Sequence, residues 1–205
     1  MTIKLLFATK NAGKLRELEE LLRAAALTSV ELIGVNDLDT PLPDVVEDGE
    51  TFADNALKKA RAAMEATGFS ALADDSGLEV DALGGRPGVH SARYAGPNKS
   101  DADRNQKLLH ELKGRADRGA RFRCAIALVH AERPDSPVVC QGKCEGRILE
   151  ACRGDGGFGY DPLFFVESLN RTFAEAESAE KNAISHRGRA MAELVRHLKS
   201  DPADA

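Results

Sequence analysis

Two adjacent carboxylates, Asp74 and Asp75, offer the clearest chemistry in this chain. They follow the apolar run 69–72 and precede Ser76 and Gly77. Neighbouring carboxylates at the end of a buried strand are costly unless a cation compensates their charge, and hard oxygen ligands suit Mg²⁺. A Ser-Gly pair allows a sharp turn whose backbone N–H groups can meet an anion. The segment predicts a corner that binds metal and phosphate; the alternative is an ordinary polar turn between two strands.

A second candidate site lies where the first predicted strand meets a helix, at Thr9, Asn11 and Lys14. The N-terminus of a helix attracts anions through its dipole and its N–H groups. Thr9 and Asn11 can donate hydrogen bonds, and Lys14 adds a positive charge. The leading glycine of a Walker A loop is absent, so the pattern predicts a phosphate cradle of another kind. The alternative is a capped helix with solvated lysines.

The helix predicted after Thr51 carries two polar residues at the boundary of its apolar face. Asn55 and Lys59 lie one turn apart there. A boundary lysine either extends its charge to solvent or pairs with an anion such as phosphate. Glu47 and Asp48 lie in the loop before this helix, and either could complete a metal site with the Asp pair. Solvated loop acids are the alternative.

A glycine-rich loop at 156–162 combines three glycines with Phe158, Tyr160 and Asp161. Glycines let the backbone approach a ligand closely, and an aromatic ring can stack on a flat one. The loop therefore predicts recognition of a planar ligand. Aromatic side chains that simply fill the core are the alternative.

A cluster of polar and basic residues stands at the predicted start of the last helix. Its members are Lys181, Ser185, His186 and Arg187. Positive charge at a helix N-terminus is unfavourable because it opposes the helix dipole, so a functional role would explain this placement. Recognition of an anion or a base would supply one, and a solvated charge cluster is the alternative.

The predicted strands and helices that carry these residues indicate an α/β fold. Crossovers of the parallel type come early and a long hairpin comes late, which indicates a mixed, twisted sheet flanked by helices. Strands are predicted at 3–8, 30–35, 69–73, 78–83, 121–130, 138–150 and 163–166, and helices at 11–25, 51–67, 100–112 and 185–198.

Composition excludes several classes of function. The 205 residues suffice for one sizeable domain or two joined lobes, and the net charge of −5 argues against a nucleic-acid binder. No apolar run reaches the length of a membrane span, and the start shows no signal-peptide pattern. The four cysteines form no Cys-x-x-Cys pair, which favours reduced thiols in a reducing compartment. We therefore expect a cytoplasmic protein without membrane or nucleic-acid partners.

Six segments form a pattern that is more specific than any one of them: TKNAGK at 9–14, TFADNA at 51–56 with Lys59, ADDSG at 73–77, GVHSARYAG at 88–96, GGFGYDP at 156–162 and EKNAISHR at 180–187. Together they resemble the inosine triphosphate pyrophosphatase family, in the family's order and over nearly the whole chain. The resemblance implies Mg²⁺-dependent hydrolysis of deaminated purine nucleoside triphosphates (ITP, dITP, XTP) to the monophosphate and pyrophosphate, which cleanses the nucleotide pool.

The resemblance also implies an architecture and a role for each residue. It implies a homodimer whose subunit is one domain over residues 1–199, with two lobes around a central nucleotide cleft and a disordered tail at 200–205. Asp75 would be the general base and a metal ligand, and Glu47 a second metal ligand. Thr9, Asn11, Lys14 and Lys59 would hold the polyphosphate, and Asn55 would also bind substrate. Ser76 would contact the nucleotide. The residues implied around the purine and ribose are Phe158, Gly159, Tyr160, Asp161, Lys181, His186 and Arg187.

Two other functions compete with this interpretation. A phosphoribosyltransferase also places paired acids after an apolar strand, but here Leu78 and Glu79 stand where a Thr-Gly-Gly-Thr-like run would bind the sugar phosphate. A non-catalytic nucleotide-binding module would need the phosphate cradle without an acid that activates water. Release of pyrophosphate from inosine triphosphate separates these possibilities.

Overall fold

In the computed structural model, which describes residues 3–26 and 30–200, the chain has an α/β fold built on a mixed seven-stranded sheet. The strand order is β2-β1-β3-β4-β5-β6-β7. The strands are β1 Ile3–Phe7, β2 Val30–Gly34, β3 Ser70–Val80, β4 Gly119–Val129, β5 Val138–Ile148, β6 Phe164–Val166 and β7 Arg171–Thr172. The helices are α1 Ala12–Ala24, α2 Phe52–Thr67, α3 Asp101–Glu111, α4 Ser178–Ile184 and α5 His186–Ser200.

The pairing of the strands confirms the predicted mixed sheet. β1 pairs in parallel with β2, with Ile3 opposite Val30, and in parallel with β3, with Leu5 opposite Ser70. β6 pairs in the antiparallel sense with both β5 and β7. Parallel neighbours require crossovers, and here α1 and α2 lie between the parallel strands in the chain.

The chain divides into two compact units, each with its own core. The first unit takes the described residues within Met1–Asp75, Cys124–Gly142 and Arg187–Ala205, and the second takes Ser76–Arg123 and Lys143–His186. The division falls within three strands, since β3, β4 and β5 each contribute residues to both units.

Helices cover both faces of the sheet in the first unit. Leu5, Phe7 and Leu72 share a buried cluster with apolar side chains of α1 and α5. Leu6 and Ala71 belong to another cluster, which includes side chains of α2. Because successive side chains in a strand point to opposite faces, α1 and α5 lie on one face and α2 on the other.

The core of the second unit is aromatic. The ring of Phe164 lies 4.6 Å from that of Phe122 and 5.2 Å from that of Phe173, measured between centroids. Leu108 of α3 and Leu163 are fully buried in the same cluster. Rings at these separations make tilted contacts, which are favourable beyond the area that they bury.

Local signals in the sequence set the ends of the helices as predicted. Asn11 caps α1, and Thr51 forms a reciprocal capping box with Asp54 at the start of α2. Gly68 ends α2 in the left-handed conformation, with φ of 74°. Ser100 caps α3 through a similar box. These contacts span at most four residues and satisfy backbone groups that a helix end leaves unpaired.

The predicted turn at Ser76 and Gly77 is wrong. A single strand of 11 residues, β3, runs through the whole Asp-Asp-Ser-Gly segment in place of two strands around a corner. Gly77 is not among the glycines with positive φ, and the N–H of Leu78 donates to Ser91 Oγ at 2.9 Å. The strand continues because the pairing and burial of this central strand outweigh the local turn preference of Ser76 and Gly77.

Two short elements near the C-terminus were not predicted. α4 has seven residues and β7 has two, lengths at which hydrophobic periodicity carries little signal. Lys181 therefore belongs to α4, and only His186 and Arg187 of its predicted cluster open the last helix. Of the predicted tail, Ser200 ends α5, and 201–205 lie outside the described residues. Within the described ranges, no helix has the length and apolar character needed to cross a membrane.

Candidate active site

The two adjacent carboxylates take part in two different networks of the first unit. Asp74 contacts Lys14 of α1 and Arg187 of α5, whereas Asp75 contacts Asn55 and Lys59 of α2. This division follows from the strand itself, because adjacent side chains point to opposite faces and the helices on those faces differ. The pair is therefore one buried structural anion and one anion of a separate polar cluster.

Asp74 is the centre of a buried ionic network. Its Oδ2 lies 3.0 Å from Lys14 Nζ and 3.2 Å from Arg187 Nη2, and its side chain is 1% exposed. Arg187 also pairs with Glu17 through Nη1. Burial alone would raise the pKa of Asp74, but the charges of Lys14, Arg187 and Lys59 outweigh it and hold the pKa below its usual value. Asp74 is thus a carboxylate at neutral pH.

Asp75 lies beside a lysine that it shares with a second carboxylate. Lys59 Nζ is 3.1 Å from Glu47 Oε1 and 3.6 Å from Asp75 Oδ1. The amide of Asn55, which is fully buried, donates to Asp75 Oδ2 at 3.1 Å and accepts from the N–H of Gly49 at 2.8 Å. Asn55 thereby ties the loop that carries Glu47 to the strand that carries Asp75.

The electrostatics of this cluster favour proton transfer at Asp75. Burial raises the pKa of Asp75 above its usual value, and the charge of Glu47 adds to the rise, although Lys59 opposes it. Burial would lower the pKa of Lys59, but its carboxylate neighbours raise it overall. A carboxylate with a raised pKa is a stronger base than a solvated one. Lys59 remains a cation beside it.

Asp75 and Glu47 are the carboxylates of this cluster that could hold a magnesium ion. Both carboxylates approach one cation, the Lys59 ammonium, so the cluster already accommodates positive charge at that point. Among the described residues no group of three or more His, Cys, Asp or Glu side chains could hold a metal. Mg²⁺ is commonly bound by only one or two carboxylates together with substrate phosphates and water. Two protein ligands are therefore sufficient.

The predicted phosphate cradle forms a capped turn in the same unit. Asn11 Oδ1 accepts from the N–H groups of Gly13 and Lys14 at 2.9 and 3.2 Å, and Thr9 Oγ1 accepts from the N–H of Asn11 at 3.2 Å. Asn11 therefore caps α1, as in the ordinary alternative, and Thr9 stabilises the turn before it. Lys14 is not solvated as that alternative required, because it pairs with the buried Asp74. The Asn11 amide and the Thr9 hydroxyl retain N–H and O–H donors that an anion can use.

The glycine-rich loop of the second unit is organised around Asp161. Asp161 Oδ2 accepts from Lys181 Nζ at 2.8 Å and from the N–H of Phe158 at 2.9 Å, and both Asp161 and Lys181 are buried. Lys181 Nζ also lies 4.9 Å from the centroid of the Phe158 ring. Gly157 has a φ of 70°, and a Cβ there would collide with the Asp161 carboxylate. The loop can adopt this form only with glycine at that position.

Two further contacts anchor the aromatic candidates of the second unit. The hydroxyl of Tyr160 donates to the carbonyl of Ser91 at 2.9 Å. His186 stacks on Phe122, with 4.7 Å between ring centroids and 12° between ring planes. Tyr160 and His186 are both buried, and Phe158 is partly exposed. Phe158 is therefore the aromatic residue of the loop that remains available for stacking.

The structure brings two sets of the predicted site residues together, one in each unit. Asp75, Glu47, Asn55 and Lys59 meet in the first unit, and Phe158, Asp161 and Lys181 meet in the second. Arg187, predicted to surround the purine, belongs to the first unit and pairs with Asp74 and Glu17. Ser76 is partly buried and opens the second unit.

Sequence reasoning missed several residues that contact predicted site residues, and three of them matter most for the arguments below. They are Glu17, on Arg187, and Asp101 and Asn105, which hydrogen-bond to the backbone of Gly159. Their partners lie 54 to 170 residues away in the chain. No local pattern signals such contacts.

Comparison with known proteins identifies the family. The model of the Ham1 family matches residues 5–197. The chain belongs to this family. Membership confirms the resemblance predicted from the six segments of the sequence.

Relatives within the Ham1 family match over nearly the full length of the chain. A protein of Syntrophobacter fumaroxidans named dITP/XTP pyrophosphatase is 53% identical over 195 residues, which cover 95% of this chain and 81% of the relative. One of Desulforamulus reducens with the same name is 50% identical, and the match covers 96% of each chain. The structure of a HAM1 protein from Coxiella burnetii superposes with a TM-score of 0.88 at 46% identity, covering 98% of this chain and all of the other.

Proposed function

We propose that this protein is a nucleoside triphosphate pyrophosphatase that hydrolyses deaminated purine nucleotides, ITP, dITP and XTP, to the monophosphate and pyrophosphate. Ham1 relatives at about half identity carry the name dITP/XTP pyrophosphatase, which supports this activity. The observation that carries the proposal is the cluster in which Lys59 lies between Asp75 and Glu47 while Asn55 orients the Asp75 carboxylate.

Asp75 and Glu47 would hold the magnesium ion. Bound Mg²⁺ would neutralise charge on the phosphates and make the phosphorus more electrophilic. The protein contributes the two carboxylates on a fixed strand and an anchored loop. Asn55 sets the distance between them, because its one amide bonds to both segments.

Asp75 would orient the attacking water and accept its proton. Asp75 lies on the fixed strand β3, and its carboxylate is oriented by the Asn55 amide, so it can present an oxygen to a water in a defined direction. Asn55 donates to Oδ2, which leaves Oδ1 as the oxygen on the side of Lys59. Lys59 would then stabilise negative charge that develops on the leaving pyrophosphate.

The second unit would recognise the purine. Phe158 would stack on the base, and Lys181, held by Asp161, offers only hydrogen-bond donors. A donor fits the 6-oxo group of hypoxanthine or xanthine and leaves the 6-amino group of adenine without an acceptor. The family resemblance placed Arg187, together with His186, around the purine and ribose. The pairing of Arg187 with Asp74 and Glu17 favours a role in fixing Asp74.

A substrate panel tests the proposal directly. Pyrophosphate release is measured with inosine, deoxyinosine, xanthosine, guanosine and adenosine triphosphates, with Mg²⁺ and with a chelator. We expect release from the first three and only with Mg²⁺. Nucleotide binding without pyrophosphate release from any of them would instead favour a non-catalytic binding module. A homodimer and a cytoplasmic location are also proposed, and sedimentation of the purified protein tests the first.

A further inference from the structure

Helix α3 holds one residue of the glycine-rich loop by both of its peptide groups. Asp101 Oδ2 accepts from the N–H of Gly159 at 2.6 Å, and Asn105 Nδ2 donates to the carbonyl of Gly159 at 3.0 Å. Asp101 and Asn105 are one helical turn apart, so they project from the same side of α3. A loop residue whose donor and acceptor are both bound has little freedom to rotate.

Asp101 is itself held in place. Its Oδ1 pairs with Arg104, whose Nη1 donates to the carbonyls of Ala92 and Lys99 at 2.9 and 2.8 Å. Asp101 is also the first residue of α3, where the helix dipole stabilises a negative charge. The acceptor offered to Gly159 is therefore fixed by the helix and by two backbone segments.

Gly159 lies between the two aromatic residues of the loop. It has a φ of 65°, in the left-handed region that glycine adopts most readily. Phe158 before it is bound through its N–H to Asp161, and Tyr160 after it is bound through its hydroxyl to Ser91. The α3 contacts thus control the backbone angle at which the Phe158 ring is presented.

Asn105 is an unusual choice for a purely structural position. It is buried, and its Oδ1 has no hydrogen-bond partner among the described residues. A buried polar atom without a partner destabilises the folded state, so an apolar side chain would serve stability better. Its bond to the Gly159 carbonyl is the contact that distinguishes asparagine from leucine at this position.

We propose that Asp101 and Asn105 are positioning residues for purine recognition, which they serve by fixing Gly159 and through it the Phe158 ring. This inference rests on the proposed function. It assigns to α3 a part in substrate selectivity, although neither side chain is expected to touch the nucleotide.

The test compares Asp101→Ala and Asn105→Leu with the wild type. KM and kcat are measured for inosine and adenosine triphosphates, together with Tm and the inhibition constant of tripolyphosphate. We expect KM for inosine triphosphate to rise about tenfold, while kcat changes less than about threefold, because ground-state positioning of the base is lost. The preference for inosine over adenosine triphosphate should fall. Tripolyphosphate inhibition, which needs no base, should stay unchanged.

Two further variants separate positioning from stability. Asp101→Asn keeps an acceptor for the Gly159 N–H and should restore most of the KM. Ser100→Ala removes the cap of α3 without touching Gly159, so it should lower Tm and leave KM and selectivity unchanged. Asn105→Leu should change Tm little, because it removes the unpartnered buried Oδ1 together with the bond to the Gly159 carbonyl, and it provides a second variant if Asp101→Ala unfolds.

An unchanged KM and an unchanged preference in both Asn105→Leu and Asp101→Ala would overturn the inference and leave the proposed function intact. If Asp101→Ala does not fold, the double variant Asp101→Asn/Asn105→Leu takes its place in this comparison. An equal rise of KM in Ser100→Ala would overturn it as well, because any weakening of α3 would then suffice. Failure of the wild type to release pyrophosphate from every nucleotide would instead refute the proposed function.

Discussion

Replacing Asp74 with asparagine tests whether the buried network around this residue stabilises the fold. Asp74→Asn keeps the shape of the side chain and removes one negative charge between Lys14 and Arg187. Both cations remain, and Arg187 keeps a second carboxylate, Glu17. We expect a clear loss of stability at neutral pH, because the pKa of Asp74 lies below its usual value and the charge is fully present there.

The magnitude follows from the distances and the burial. At 3.0 and 3.2 Å, with an effective dielectric constant of about 20, each attraction amounts to roughly 5 kcal/mol before the cost of removing the charges from water. Removing one partner of a buried pair typically costs about 3–5 kcal/mol. Glu17 still compensates Arg187, so we expect about 3 kcal/mol. For a chain of this size that corresponds to a fall in Tm of roughly 6–12 °C.

Urea unfolding and thermal melting, followed by circular dichroism, measure the loss. The matched control is Asp44→Asn, since Asp44 pairs with Lys10 at 2.9 Å, but their side chains are 95% and 77% exposed. The lysine–aspartate distance is nearly the same in the two cases, 3.0 and 2.9 Å, whereas Asp74 is buried and also contacts Arg187. The control should be indistinguishable from the wild type because water and salt screen an exposed pair. Equal, small effects of the two substitutions would refute the reasoning.

Three other predictions concern the proposed site. Asp75→Asn should lower turnover by more than about 10²–10⁴-fold, because the enzyme loses a base and a metal ligand. The variant should still bind tripolyphosphate and keep a Tm close to that of the wild type. Near-normal turnover would reject the role of Asp75. Lys59→Ala should weaken tripolyphosphate binding more than it lowers Tm, and normal affinity would leave Lys59 with only its carboxylate pairs. Wild-type kcat/KM should favour inosine over adenosine triphosphate by roughly 10⁴-fold if several buried donors bind the base. Measuring the same preference in Arg187→Ala shows whether Arg187 is one of these donors. Equal wild-type values for the two substrates would exclude recognition of the base.

Much of the local structure was predictable because it depends on neighbours in the chain. The start and end of α2 follow from Thr51, Asp54 and Gly68, which act over no more than four residues. The helical wheel placed Asn55 and Lys59 at the edge of the apolar face, and the structure puts both beside Asp75. The wheel could not show that Asn55 is fully buried, because burial depends on what packs against the helix.

The segment around the Asp pair shows where local reasoning fails. Ser76 and Gly77 are typical of turns, yet β3 continues through them. Local preferences are small compared with the pairing and burial of a central strand, so tertiary structure overrides them. The same strand separates the two carboxylates onto opposite faces, which a corner would not have done.

The sequence by itself determined the family, the fold class and the residue types available for chemistry. Only the tertiary structure decided which of those residues meet. Arg187 lies 113 residues from Asp74, and Asp101 lies 58 residues from Gly159. The partner that neutralises a buried charge or holds a loop residue comes from a distant segment, and its distance is set by packing of the whole unit. Composition and spacing along the chain contain no measure of that distance.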